Sequence, residues 1–174
     1  MTAYVLNLPS GIPGRISRPG NQTVEAAQPD TGRPFSAYGL PGKILPNGKF
    51  VPIEAGDAGA DVAGFLVQPF PTTDGRYTMA MAMATSGQPG AVPRADMTLS
   101  RLRRGYMTVR ANGVGALYNP TDGAQVYVRI ANGSAATPIG GIEARNTADV
   151  AAIPGAKFRG QRDRDGNVEI EYNI

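Results

Sequence analysis

A chain of 174 residues suits one domain, with room for an extended arm. It contains no Cys, His or Trp, which excludes a disulfide framework, a thiol nucleophile and the usual zinc ligands. The formal net charge is only +3, well short of the strong imbalance of a disordered chain or a dedicated polyanion binder.

With 23 glycines and 15 prolines, long helices are broken and short strands joined by turns are favoured. Leu, Ile, Val and Phe together make up about 20% of the chain, near the lower edge for a folded domain. The expectation is a thinly cored all-β domain, a small barrel or sandwich, stabilised further by burial against copies of itself or a larger partner. Without His, acid–base chemistry would need a strongly shifted carboxylate, Lys or Tyr, so an enzyme is not expected. The N-terminus lacks a basic-then-apolar export pattern, and no apolar run approaches the ~20 residues of a membrane helix. Synthesis in the cytoplasm without export is expected. Arginine outnumbers lysine 14 to 3. Arginine's planar fork favours interfaces, although a coding bias would give the same count.

In chain order, residues 1–34 read as an extended arm and residues 35–174 as one β domain. The run from Gly11 to Gly20 has Pro and Gly too closely spaced for a helix or a long strand. It keeps Ile12, Ile16 and two arginines, so it should lie extended on a surface. Residues 35–53 read as a hairpin turning at Pro46-Asn47-Gly48. A buried strand is expected from Val62 to Val67, stopped by Pro69 and Pro71. Residues 76–84 place Tyr77, Met79, Met81 and Met83 on one face of a strand, a core pattern with Met as filler. A Gly/Pro-rich loop follows over 85–94. Between Asp96 and Arg101 helix and strand compete; strand is preferred, with Gly105 as a bulge or bend.

Two strands organise the middle. One covers roughly 101–111. In the other, Val126, Val128 and Ile130 share a face, and Tyr127 and Arg129 share the opposite, wet or partner-facing one. Both run into Asn-Gly, at Asn112-Gly113 and Asn132-Gly133, which suits turns with positive φ. Residues 134–155 read as mostly irregular, with a short strand within 139–144. The chain ends in a hairpin, 157–162 against 168–172, turning at Asp163–Asn167. Val168, Ile170 and Tyr172 should face inward, with Glu169 and Glu171 outward in cross-strand ion pairs.

Motifs for chemistry are weak. Asp163 to Glu169 resembles part of a calcium loop, but lacks its first ligand and its closing carboxylate. Gly113-Val114-Gly115-Ala116-Leu117-Tyr118 lacks the third glycine of a dinucleotide loop. No catalytic, cofactor or metal residues are assigned. Arg101, Arg103, Arg104, Tyr106, Arg110, Tyr127 and Arg129 offer one alternative, a single-strand nucleic-acid surface on adjacent strands. The modest net charge disfavours it. A carbohydrate-binding tail or receptor-binding module is a second alternative.

Three segments resemble the structural cement, or head decoration, proteins of tailed bacteriophages. They are the arm Gly11–Pro19; the stretch Lys49–Asp57 continuing through Gly64-Phe65-Leu66-Val67-Gln68-Pro69-Phe70-Pro71; and Arg104-Gly105-Tyr106 with Val126–Arg129, closing at Ile153–Phe158 and the terminal hairpin. The resemblance implies a small β domain on the capsid exterior that bridges major capsid protein subunits and stabilises the filled head. It implies a homo-oligomer, a homotrimer favoured over a homodimer, and it brings no catalytic residues. On this view Ile12, Pro13, Arg15, Ile16, Arg18 and Pro19 form the capsid or inter-subunit contact.

Overall fold

A computed structural model of the chain describes residues 11–69 and 93–174. The expected strand 76–84 and most of the 85–94 loop lie outside that range. The described residues form nine strands. These are β1 (Thr23–Ala27), β2 (Pro41–Ile44), β3 (Phe50–Pro52), β4 (Gly64–Val67), β5 (Leu99–Arg110), β6 (Gln125–Arg129), β7 (Ile142–Glu143), β8 (Val150–Arg159) and β9 (Asn167–Tyr172). They make one curled half-barrel sheet in the order β3-β2-β4-β5-β9-β8-β6-β7, with β1 also paired to β5. The all-β expectation holds.

Strand β5, twelve residues long, is the spine. Its first half pairs with β1 and β4, and its second half pairs with β9. The change of partner falls at an irregularity. Thr23 is opposite Arg104 while Val24 is opposite Leu102, so Arg103, two residues before Gly105, is an extra residue. An extra residue bends a strand and sharpens its twist, which curls the sheet at the point where Gly105 predicts a bend. At the far end a parallel bridge joins Ala111 to Ile142, and Asn112 N–H donates to the Ile142 carbonyl at 2.7 Å. The last strand of the sheet is thereby brought back to the end of β5.

Alternation along the strands builds the core. Val126 and Val128 of β6, Val168 and Ile170 of β9, and Met107 and Val109 of β5 are fully buried in one cluster. Phe65 meets Tyr172 edge-on there, and the Tyr172 hydroxyl donates to the Val62 carbonyl. Burying each such side chain contributes about 1.5–3 kcal/mol. A smaller cluster of Ala27, Phe35, Phe50, Leu66 and Leu99 lies under the β2–β3 hairpin. This hairpin turns where predicted, with Gly48 N–H on the Leu45 carbonyl.

Strand β8 is the main departure from expectation, since its first half falls in a stretch read as irregular. Pro154 and Gly155 sit within it. The β6–β8 register slips between Gln125↔Lys157 and Tyr127↔Ala152, which places both residues in a bulge. The Gln125 side-chain amide donates to the Ile153 and Ala156 carbonyls and satisfies groups that the bulge leaves without ladder partners. A bulge tolerates proline because no ladder hydrogen bond is asked of it.

Candidate interaction surface

The arm is docked on the chain's own sheet. Gly14 N–H donates to the Thr108 carbonyl at 2.8 Å, Thr108 N–H to the Arg15 carbonyl at 2.9 Å, and Ser17 N–H to the Tyr106 carbonyl at 3.2 Å. Ile16 bridges to Met107 and packs against the main core. The arm thus covers the edge of β5 opposite β9, an edge whose open backbone groups would otherwise invite another strand. Three backbone bonds suffice, so the dense Pro and Gly are no obstacle.

The six residues singled out in the arm divide by exposure. Pro13 is buried within the chain, Ile12, Arg15 and Ile16 are half-buried, and Arg18 and Pro19 are exposed. Arg18 forks onto the Glu169 carboxylate, with Nη2–Oε2 at 2.5 Å and Nε–Oε1 at 3.1 Å. Its guanidinium lies 4.4 Å from the centre of the Tyr106 ring. The Ser17 hydroxyl also donates to Glu169. The expected β8–β9 cross-strand pairing is altered accordingly. Glu169 is engaged by the arm, and Arg159 reaches diagonally to Glu171 at 2.5 Å rather than to its directly opposite partner.

The basic and aromatic residues do not form the continuous face that the sequence suggests. Strands β5 and β6 are not adjacent; β9 and β8 lie between them. Arg101 and Arg103 both bond Glu25 of β1, at 2.8 and 3.2 Å. Desolvation opposes the charged Glu25, but the hydrogen bonds from Arg103 and Arg101 prevail and hold its carboxyl below the usual range. Tyr106 lies under Arg18. Arg129, expected on an open face, is buried. Its Nε and Nη2 fork onto the fully buried Glu143 carboxylate, and Nη1 reaches Asp149 and the Ala131 carbonyl. Strand β7 and the loop that follows it bring in those acids, and a strand-by-strand reading of β6 could not see them.

The 163–167 turn consumes its own carboxylate, since Asp163 Oδ1 accepts from the Asp165 and Asn167 N–H groups. Among the described residues, no group of three or more His, Cys, Asp or Glu is placed to hold a metal. Beside this turn lies an open groove of about 730 Å³, lined by Arg110, the 112–115 loop, Asn119, Ala135, Ala136, Pro138 and residues 162–166. On its rim a loop projects Val114 and Leu117, 80% and 71% exposed. Arg162 braces that loop through Nη1 on the Gly113 carbonyl, Nη2 on the Gly115 carbonyl and Nε on Asn119 Oδ1.

A half-barrel whose charged groups fix its own edges, bulge and loops has the architecture of a structural or binding domain. The model of the XM1 gp53 minor capsid protein family matches residues 1–172, and the chain belongs to that family. It is therefore a capsid structural protein of the phage virion, associated with other capsid components, in a family that argues against catalysis. The resemblance to phage capsid-associated proteins read from the sequence is confirmed at that level. A chain in the solved capsid of Myoviridae phage XM1 shares the fold, with a TM-score of 0.68 at 16% identity, over 98% of this chain and 95% of that one. No curated protein matches the sequence.

Proposed function

We propose that the protein is a cement protein of the capsid exterior, bridging major capsid protein subunits and stabilising the filled head. The family match over residues 1–172 supports this reading most directly. In this proposal the protein is made in the host cytoplasm and acts as a homotrimer at three-fold positions, with a homodimer at two-fold positions as the alternative. The exposed residues Arg18 and Pro19 are the part of the arm offered to a neighbour. Pro13, Ile12, Arg15 and Ile16 hold the arm in place. Individually weak contacts suffice, because copies bound at several points add through multivalency.

Heads lacking this protein provide the test. The purified chain is expected to co-sediment with them at a fixed stoichiometry and to raise the temperature at which they release DNA. A protein that ignores heads but retards single-stranded DNA, with a steep salt dependence, would favour the nucleic-acid alternative instead.

A further inference from the structure

The two most exposed large apolar side chains among those described, Val114 and Leu117, stand three residues apart on one loop. Isolated apolar residues on a surface are ordinary, but this pair is held on a loop fixed from several sides. Arg162 bonds the Gly113 and Gly115 carbonyls at 2.7 and 3.0 Å. Gly113 N–H donates to the Ala136 carbonyl, and a 3-10 turn over Ala116–Tyr118 closes the loop. Gly113 lies against the Tyr118 ring, where an added Cβ would come to 2.1 Å from a ring carbon. The Arg145 guanidinium lies 5.9 Å from the centre of the same ring. A loop braced this way loses little conformational freedom on binding, so contact by its tip is not offset by the cost of ordering it.

The surroundings are cationic. Arg110 and Arg164 open onto the adjoining groove, and the Arg164 side chain is 92% exposed. Of the two nearby acids, Asp163 is turned inward to its own turn, and Asp165 lies 3.8 Å from Arg164.

We propose that the 113–119 loop is a preformed docking prong. It inserts Val114 and Leu117 into an apolar recess with an acidic rim on a capsid shell subunit. Apolar anchors at the centre of a contact supply affinity, and the arginines around them supply orientation and exclude basic surfaces. The proposal rests on the cement reading and specifies which face of the domain meets the shell.

The test compares the full chain with its Val114→Ser/Leu117→Ser variant, and with Val24→Ser as a control at an exposed apolar residue elsewhere. Binding to heads lacking the protein, solution mass and melting temperature are measured for each. The double variant is expected to bind heads about tenfold more weakly or worse, with melting temperature and mass unchanged. The control should match wild type. Undiminished binding by the double variant, while wild type binds, would overturn the prong and leave the cement reading standing. A change in solution mass would make the loop a contact between copies, and a lowered melting temperature would make it part of the chain's own packing; either overturns the proposal. Failure of wild type to bind heads would remove the cement reading and the prong with it.

Discussion

Replacing Glu143 with alanine is expected to destabilise the protein by about 3–5 kcal/mol. The carboxylate is fully buried, and the Arg129 side chain that forks onto it is 6% exposed. Removing one partner leaves a guanidinium in a low-dielectric interior with only Asp149, at 3.4 Å, to balance it. Removing both should be far milder. Arg129→Leu/Glu143→Leu should recover much of the loss, short of full recovery because Arg129 also satisfies the Ala131 and Asn132 carbonyls. Denaturant midpoints of the two single variants and the double variant decide the matter. A loss below about 1 kcal/mol for Glu143→Ala would mean that the pair is solvated and does not fix the β6–β7 register.

The second large effect is expected at Gly14, where alanine should cost about 2–5 kcal/mol and unseat the arm. The backbone there has φ +86°, a region that residues with a Cβ enter only with strain. The new Cβ would lie 2.6 Å from the Tyr38 Cβ and 3.0 Å from the Gly39 nitrogen, and neither can swing aside. The same residue donates to the Thr108 carbonyl and accepts from Gln68 N–H, so displacing it loosens both neighbours. Loss of hydrogen-exchange protection at the Thr108 amide, which bonds the Arg15 carbonyl, would report the detached arm directly. The opened edge of β5 should also promote association between chains. Unchanged protection at Thr108 would show that the arm is not held through Gly14.

What the sequence revealed followed local chemistry. The two hairpins were legible because Asn47-Gly48 and the 163–167 turn name their turn types, and because alternation in 168–172 puts Val168, Ile170 and Tyr172 in the core; Glu171, expected outward, is buried as well, under its ion pair with Arg159. All three Asn-Gly pairs turn with positive φ, at Gly48 (79°), Gly113 (97°) and Asn132 (47°). What stayed hidden is carried by partners distant in sequence. Arg129 looked solvent-facing because its alternation with Val128 is regular, and its acids, Glu143 and Asp149, come from β7 and the following loop. Arg101 and Arg103 looked like half of a basic track until Glu25 of β1 was set between them. The first half of β8 was concealed by Pro154 and Gly155, whose bulge needs the Gln125 amide to close it. The docking of the arm on β5, rather than on a partner alone, could not be read from its composition, because an edge strand needs few hydrogen bonds and no alternation. The family resemblance was legible for a different reason. Its most specific segments are the arm and the Gly-Phe-Leu-Val to Pro-Phe-Pro stretch, and in their described parts the two adjoin, with Gln68 N–H bonded to the Gly14 carbonyl.

The most direct test of a capsid-exterior cement role is a cryo-electron microscopy difference map between heads with and without the protein. Density for the half-barrel is expected on the outer surface, at symmetry axes where it spans more than one major capsid protein subunit. Density inside the shell, density confined to a single subunit, or none at all would contradict it.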